Sequence, residues 1–354
     1  MNERNHHITI DGLTFAAPHG ALLLDAALRN GIALPHNCRA GHCGTCRVRL
    51  VAGDVEGGEG SEPDVVHACQ CRIAGDVVVA TKRTSGVRSV AGIVSALRPV
   101  SAEVVEVGIK VDRAMPYLPG QYAQLSFSGY PSRPFSITHA LDSALMPGTM
   151  FFHMRRMMGG RVTQALGKRI KPGHRVTVTG PFGSAHFRPN QSNRLVLIGT
   201  STGFAPIWSI AVAALRENAQ RCVMVITGGR TLNALYMGPA LARLARFPNV
   251  VVVPICSASQ DLPRGVMRGR PTDYIPRLLP TDVIYACGAP EMVDAVKQIA
   301  SRVGVVCHAD PFTPTDGENL ERSSVSRAIG RLGLTAIRDL ASISLDRGRS
   351  SRTG

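Results

Sequence analysis

Hydrophobic and polar positions alternate over short stretches in the first part of the chain, from residue 8 to about residue 82. The pattern predicts two strands joined by a turn, then a helix, a cysteine-rich loop and further short strands. The predicted helix covers residues 22–30, and the later strands cover residues 47–51 and 76–80. This mixture of elements indicates a small α+β unit.

The second part of the chain follows a linker-like stretch, residues 81–90, which is rich in Lys, Arg, Ser and Gly and lacks periodicity. From residue 91 to about residue 190, separated β runs between turn signals predict a small antiparallel barrel. The predicted strands are residues 104–111, 121–127, 135–139, 150–155 and 175–179. One short helix is predicted after Gly160.

Strands and helices alternate after residue 193, which predicts a parallel sheet in a nucleotide-binding α/β layout. The predicted strands are residues 195–199, 222–228, 250–256, 283–287 and 305–309, with a helix over residues 205–217. We therefore expect domains at residues 1–88, 91–190 and 193–312. Residues 313–354 are rich in Ser and Arg and are expected to form a mobile extension with weak helical spacing.

The composition of the chain argues against a membrane protein and against a nucleic-acid-binding protein. A chain of 354 residues with 44% hydrophobic content can bury several cores. The N-terminus is polar and no apolar stretch is long enough to span a bilayer, so we expect a cytoplasmic protein without membrane contact. We also expect a monomer. The net charge of +15 comes from scattered basic residues with only 5% aromatics, which argues against nucleic-acid binding and favours an acidic protein partner.

Four cysteines carry the clearest chemistry. Cys38, Cys43 and Cys46 follow a C-x4-C-x2-C spacing, and Cys69 follows in A-C-Q-C. This spacing is typical of plant-type [2Fe-2S] clusters, in which one tight loop and one remote anchor bring four thiolates to two irons. A zinc site, which usually pairs two short hairpins, is the alternative, and Cys71 is the alternative fourth ligand.

Two stretches of the barrel segment suggest a flavin site. Arg133, Phe135 and Ser136 would supply a cation for a pyrophosphate, a flat ring and a small hydroxyl. Gly160, followed by Arg161, Val162 and Thr163, precedes the predicted helix, where backbone N–H groups would receive phosphate oxygens. An ordinary capped helix remains the alternative for the second stretch.

Two further stretches lie between strands and helices of the third segment, where dinucleotides bind in open α/β folds. Gly199 opens the run G-T-S-T-G-F-A-P, which contains Thr202 and Gly203. Cys287 and Gly288 end another strand, and this thiol either contacts a nicotinamide ring or packs in the core. Arg230, in G-G-R-T, is a candidate for a nucleotide phosphate.

These motifs together resemble a known family. The matching stretches are C-R-A-G-H-C-G-T-C-R, A-C-Q, L-P-G-Q-Y-A, R-P-F-S, G-G-R-V-T, G-P-F-G, T-G-F-A-P, C-G-A-P-E-M-V and H-A-D-P-F. In this order they look like the reductase components of bacterial aromatic-ring-hydroxylating dioxygenase systems, of the naphthalene dioxygenase reductase type. The resemblance covers about residues 8 to 312.

The resemblance implies a multidomain α+β and α/β fold: an N-terminal β-grasp [2Fe-2S] ferredoxin domain, an antiparallel FAD-binding β-barrel and a C-terminal parallel-sheet NAD(P)-binding domain. It implies electron transfer from NAD(P)H, with NADH favoured, through FAD and the cluster to a Rieske-type ferredoxin or a terminal oxygenase.

By the same resemblance, Arg133 and Ser136 touch FAD and residues 160–163 take its phosphates. Thr202 and Gly203 hold NAD(P), and Cys287 orients the nicotinamide. Asp310 and Phe312 border the flavin, so the expected catalytic group is Ser136, Cys287, Asp310 and Phe312.

Three departures from the family pattern stand out. Phe135 stands where Tyr is frequent. Thr200 and Ser201 stand where Gly is frequent, which would weaken dinucleotide binding. The 22 residues between Cys46 and Cys69 are fewer than in many plant-type ferredoxins. The alternatives are a reductase of a diiron monooxygenase or deoxysugar-forming system, built from the same modules, and a non-catalytic flavin and iron-sulfur carrier or sensor, suggested by the missing glycines.

Overall fold

A computed structural model describes residues 4–312, except residues 33, 35, 37–38, 40, 42–44, 60–63, 82–86, 143–145, 192 and 260. Residues 4–312 belong to one compact unit. The predicted extension over residues 313–354 lies outside the described residues. None of the described helices is both long enough and apolar enough to cross a bilayer.

The N-terminal module is a five-stranded sheet with one helix against it. Its elements are β1 (Asn5–Ile10), β2 (Leu13–Pro18), α1 (Leu23–Arg29), β3 (Arg47–Glu56), β4 (Val65–His67) and β5 (Arg72–Thr81). The strand order is β2-β1-β5-β3-β4, with β1 and β5 parallel and the other pairs antiparallel. Alternate residues of the strands and one face of α1 form its core, which confirms the β-grasp prediction.

The second module is a closed six-stranded antiparallel barrel, as predicted. Its strands are β6 (Arg88–Pro99), β7 (Val104–Val111), β8 (Tyr122–Phe127), β9 (Arg133–Thr138), β10 (Thr149–Arg155) and β11 (Arg175–Phe182). They close in the order β10-β7-β6-β11-β8-β9.

Two local predictions for the barrel are wrong. β6 begins at Arg88, inside the predicted linker, because Ser89 and Val90 pair with Thr179 and Val178 of β11. No α-helix follows Gly160. The Gln164 N–H reaches the Gly160 carbonyl at 3.0 Å, but the Ala165 N–H turns to the Val162 carbonyl, so the helical pattern is not continued and the segment is a series of turns.

The third module is a six-stranded parallel sheet with helices, as predicted. Its elements are β12 (Leu195–Thr200), α2 (Phe204–Glu217), β13 (Val223–Gly229), α3 (Gly238–Leu244), β14 (Val250–Cys256), β15 (Met267–Arg268), β16 (Val283–Gly288), α4 (Pro290–Val303) and β17 (Val306–Pro311). The strand order is β15-β14-β13-β12-β16-β17. The sequence pattern did not predict α3 or β15.

Helix α2 joins the second and third modules. Its buried residues point in all directions, from Phe204 through Trp208 to Leu215. A helix that is apolar on all sides must be covered on all sides. One side packs on β12 and β16, and another packs on β9 of the barrel.

Candidate functional site

Two of the predicted cluster ligands converge in the N-terminal module. The sulfurs of Cys46 and Cys69 lie 3.2 Å apart, and each residue is only 3% exposed. This separation is longer than the roughly 2.05 Å of a disulfide bond. The Ala68 N–H donates to the Cys46 carbonyl at 3.0 Å, which fixes the two segments side by side. Cys38 and Cys43 lie outside the described residues.

Gln70 ties the cysteine loop to the remote anchor. Its side-chain amide donates to the carbonyl of Arg39 at 2.7 Å and to that of Cys69 at 2.9 Å. Gly41 adopts φ +74°, a left-handed conformation that glycine takes without strain. The loop therefore turns back toward Cys69.

Cys71, the alternative fourth ligand, lies in the core of the module and is fully buried. Burial raises the pKa of its thiol to about 12, so it remains protonated. Paired thiols at Cys46 and Cys69 suit two ligands on one iron, and the geometry favours Cys69 over Cys71 as the anchor.

A hydrogen bond joins the cysteine loop to the barrel. Thr45 Oγ1 lies 2.6 Å from the Tyr122 hydroxyl. Tyr122 begins β8 and is paired with Ser136 of β9. The residue next to Cys46 therefore contacts the strand pair that carries the predicted flavin motif.

The predicted flavin residues divide between the two faces of β9. Ser136 is buried, and Thr138 on the same face donates its hydroxyl to the Ala205 carbonyl of α2 at 2.8 Å. Phe135 packs on the barrel core beside Ile137, because neighbouring strand residues point to opposite faces. Arg133 uses one of its five N–H donors on the Ser132 carbonyl, at 3.0 Å. This donor set fits an anionic, partly planar ligand.

Residues 160–163 form a tight turn in place of the predicted helix start. The Thr163 hydroxyl accepts a hydrogen bond from the Met157 N–H at 3.1 Å. Val162 and Thr163 are buried, whereas Arg161 is exposed. Any phosphate contact here must therefore come from the N–H groups of a turn, because no helix N-terminus lies at these residues.

Three predicted residues align across neighbouring strands at the carboxyl edge of the parallel sheet. Cys287 of β16 is paired with Gly199 of β12 on one side and with Asp310 of β17 on the other. Cys287 is fully buried and Asp310 nearly so. Burial raises the pKa of the Cys287 thiol well above its usual range, and the Asp310 charge adds to this. The thiol is therefore neutral.

Two glycines allow the loops of this edge to touch. A Cβ on Gly203 would lie 2.2 Å from the Cys287 carbonyl oxygen, and one on Gly288 would lie 2.3 Å from Thr200 Oγ1. Gly288 also adopts φ +123°. Neither position can accept a larger residue without moving the backbone.

Thr200 and Ser201, which stand where the family frequently has Gly, play different parts in this loop. Thr200 Oγ1 accepts a hydrogen bond from the Ala289 N–H at 2.9 Å, so the hydroxyl joins β12 to the start of α4. Ser201 adopts φ +51°, a conformation that favours glycine. Thr202 lies in the single 3₁₀ turn that follows.

The remaining predicted residues lie at the same edge of the sheet. Arg230 is exposed directly after β13, and its carbonyl accepts the Ala258 N–H at 2.9 Å. The Phe312 N–H donates to the Gly288 carbonyl at 2.7 Å. The edge therefore brings together residues from four predicted motifs.

Sequence analysis missed a buried polar network between the barrel and the parallel sheet. Nε2 of His153 lies 3.5 Å from a Glu106 carboxylate oxygen, and Nδ1 of His153 lies 3.0 Å from the Tyr236 hydroxyl. Arg98 contacts the other Glu106 oxygen at 2.8 Å, and the Leu141 N–H donates to the carboxylate at 2.8 Å. His153 and Tyr236 are 83 residues apart and belong to no motif, so no sequence signal could have paired them.

The protonation states of the network follow from burial and charge. Burial alone would raise the pKa of Glu106, but contacts with His153, the Leu141 N–H and Arg98 lower it overall. Burial lowers the pKa of His153 and outweighs the opposite effect of Glu106. Burial raises the pKa of Tyr236 well above its usual range. At neutral pH the network is an ionised carboxylate with a neutral imidazole and phenol.

Family models match all three modules. Residues 7–74 match a 2Fe-2S iron-sulfur cluster binding domain, residues 93–187 an oxidoreductase FAD-binding domain, and residues 197–298 an oxidoreductase NAD-binding domain. The cofactors of the chain are accordingly a [2Fe-2S] cluster, FAD and NAD(P)H.

Similar curated proteins include the reductase component of the naphthalene 1,2-dioxygenase system of Pseudomonas putida, 30% identical over 317 residues, 83% of this chain and 94% of that protein. The reductase component of phenol 2-monooxygenase from a Pseudomonas species is 29% identical over 82% of this chain and 89% of that protein.

Solved structures give the same picture. The ferredoxin reductase in carbazole 1,9a-dioxygenase is 25% identical with a TM-score of 0.60, over 88% of this chain and all of that one. The Amycolatopsis cytochrome P450 reductase is 28% identical with a TM-score of 0.64, over 87% and 99% of the two chains. The chain belongs to the family of NAD(P)H-dependent iron-sulfur flavoprotein reductases that serve bacterial aromatic oxygenase systems, and it is an electron-transfer oxidoreductase.

Proposed function

We propose that this reductase delivers electrons to a Rieske-type ferredoxin or directly to the terminal oxygenase of an aromatic-ring-hydroxylating dioxygenase system. The contact between Thr45 and Tyr122 supports the electron path inside the chain, because it joins the cysteine loop to the strand pair of the flavin motif. The relatives named for naphthalene and carbazole dioxygenase systems support the acceptor class. The net charge of +15 suits an acidic acceptor.

We further propose module boundaries near residues 88, 190 and 312, a monomeric state and the residue roles inferred from the motifs. When bound, NAD(P)H supplies a hydride, FAD exchanges both paired and single electrons, and the cluster carries single electrons. The chain itself aligns these groups and excludes water between them.

Specific residues would perform this alignment. Arg133 binds the flavin pyrophosphate, and Ser136 presents its hydroxyl from the buried face of β9. The dinucleotide approaches the backbone at four small or short residues of the sheet edge, namely Gly199, Thr202, Gly203 and Gly288. Asp310 and Phe312 close the flavin side of the sheet, and Cys287 orients the nicotinamide from a buried, neutral position.

Anaerobic titration tests the electron path. Addition of NADH should bleach both the flavin band and the cluster band, with NADPH less effective. Bleaching by neither nucleotide in protein that retains both cofactors would favour a carrier or sensor. A cluster band that stays oxidised in excess NADH while the flavin band bleaches would contradict transfer from the flavin to the cluster.

A second candidate acceptor is a monooxygenase component, because the relatives include reductases of phenol 2-monooxygenase and of a cytochrome P450. Mixing the NADH-reduced protein with a Rieske ferredoxin, a terminal dioxygenase and a diiron hydroxylase, each at equal concentration, separates the two. We expect fast reoxidation of the cluster only with the first or second acceptor.

The assignment of Arg133 has its own test. Arg133→Ala should release FAD on dilution, measured as flavin content per protein after gel filtration. Arg169→Ala, which changes an exposed arginine of the same module, should retain its flavin. Equal retention in both variants would remove Arg133 from the site.

A further inference from the structure

A cavity of about 340 Å³ lies between the barrel and helix α2, and its wall shares Thr138 with the flavin strand described above. It is lined on one side by residues at the end of β9 and the start of β10, and on the other by α2 from Trp208 to Arg216 and by the end of α3. Arg216 is 12 residues beyond Phe204 on α2, or about 18 Å along the helix axis. The Arg216 end of the cavity is therefore well removed from the loop that precedes α2.

Aromatic rings dominate the wall of this cavity, which we call the α2 cavity. Tyr117, Phe151, Trp208 and Phe247 contribute rings from both modules. The Trp208 ring is held in place, since it stacks on Phe204 with ring centres 6.3 Å apart. A volume of this size, lined by rings, suits a small planar ligand.

The polar groups of the α2 cavity favour an anion. Arg216 and Arg243 line it, and no carboxylate occurs among the described lining residues. The Arg243 guanidinium lies over the Trp208 ring, 5.1 Å from its centre. Burial and the charge of Arg216 lower the pKa of His139, also in the wall, to about 4, so this imidazole is neutral and does not add to the charge.

Trp208 gives the wall its ring and no accessible donor. Trp208 is 95% buried, and its indole nitrogen has almost no accessible surface, so a ligand oxygen in the cavity does not reach it. The rings and the two arginines therefore point to the ligand chemistry.

We propose that the α2 cavity binds a planar aromatic carboxylate, with the ring among the four aromatic side chains and the carboxylate at Arg216. A ligand there would contact the barrel and α2 at once. It would therefore bridge the two modules.

Trp208 is the only tryptophan of the chain, so its fluorescence is a direct probe of the α2 cavity. Benzoate is titrated into the oxidised, FAD-loaded protein without nicotinamide nucleotide, by fluorescence and by calorimetry. We expect a saturable change at one site per chain. Benzyl alcohol, which lacks the charge, and cyclohexanecarboxylate, which lacks the flat ring, should each bind about tenfold more weakly.

Two arginine variants make the test specific. Arg216→Gln should weaken benzoate binding about tenfold, because the cation is lost while the exposed position tolerates glutamine. Arg246→Gln, which changes an exposed arginine outside the wall, should bind as the wild type does.

Absence of saturable benzoate binding, or equal affinity in both variants, would overturn the proposal. Displacement of benzoate by NAD⁺ would also overturn it, since it would place the ligand at the nucleotide site. These binding measurements require no turnover, so their failure would leave the electron path untouched.

Discussion

Two junctions between modules differ in construction. The junction between the cysteine loop and the barrel, which we call the cluster junction, is marked by a hydrogen bond between the hydroxyls of Thr45, which is half-buried, and Tyr122, which is buried. The junction between the barrel and the parallel sheet, which we call the sheet junction, contains the buried network of Glu106, His153 and Tyr236. Both residues of its His–Tyr contact are almost fully buried.

The difference corresponds to two kinds of transfer. Hydride transfer needs the reacting atoms within about 3–3.5 Å and in line, so the modules that hold nicotinamide and flavin must be fixed in orientation. Single-electron transfer needs closeness but tolerates more variation in angle. A buried network of charged and neutral partners suits the first requirement, and a short contact beside the cluster loop suits the second.

The largest expected effect is at the sheet junction. Glu106→Ala should lower the free energy of unfolding by about 2–4 kcal/mol, because the buried His153 and the Leu141 N–H lose their acceptor together, whereas the half-exposed Arg98 keeps Asp142. Glu103→Ala is the matched control, because its ion pair with Arg155 is at the surface and is worth about 0–1 kcal/mol. Urea denaturation measures both, and equal losses would contradict the account.

A smaller effect is expected from Tyr236→Phe, which removes only the hydroxyl that contacts His153. Stability should fall by about 1–2 kcal/mol, and flavin reduction by NADH should slow, because the orientation of the modules loosens. Tyr274→Phe removes a hydroxyl that donates to the Arg268 carbonyl at an exposed site, and it should leave the flavin rate unchanged. Stopped-flow absorbance gives the rate.

The two junctions should also differ in their response to pH. Burial lowers the pKa of His153, so below about pH 6.5 the unfolded chain binds a proton that the folded chain refuses. This contribution to stability is present above pH 6.5 and is lost as the pH falls, by up to about 1.4 kcal/mol per pH unit.

One variant at each junction tests this difference in pH dependence. His153→Gln should lose stability less steeply between pH 7.5 and pH 5.5 than the wild type does, whereas Thr45→Val should keep the wild-type slope. Parallel curves for His153→Gln and the wild type would show that His153 is already protonated in the fold.

Thr45→Val is expected to have the smallest effect on stability, about 1 kcal/mol or less, because one partly buried hydrogen bond is lost and the shape is kept. Thr9→Val is its control, since the Thr9 and Thr14 hydroxyls pair on the exposed side of the same module. A loss above that of Tyr236→Phe would reverse the comparison of the two junctions.

The features that depend on local sequence could be predicted. The parallel sheet was predicted from the segments that form β12 and β16, because these are continuously apolar and end in glycine-rich loops. Cys46 and Cys69 were found by spacing, and the structure places their sulfurs side by side. Cys287 and Asp310 were placed by motif, and strand register aligns them.

Long-range features escaped sequence reasoning. The start of β6 was predicted as linker because Arg88 and Ser89 are polar, yet pairing with β11 makes them strand. The turns after Gly160 have helical composition but lack the sustained hydrogen bonds of a helix. The sheet junction and the α2 cavity lie where separate modules pack together. Contacts between modules cannot be predicted from a local sequence pattern.

Stopped-flow reduction by NADH, under anaerobic conditions and at both the flavin and cluster bands, tests the central claim most directly. In Thr45→Val we predict a wild-type flavin rate and a delayed cluster band, with neither changed in Thr9→Val. Slower reduction of the flavin in Thr45→Val, with no further delay in reduction of the cluster, would contradict the proposal that the sheet junction serves hydride transfer and the cluster junction serves single-electron transfer.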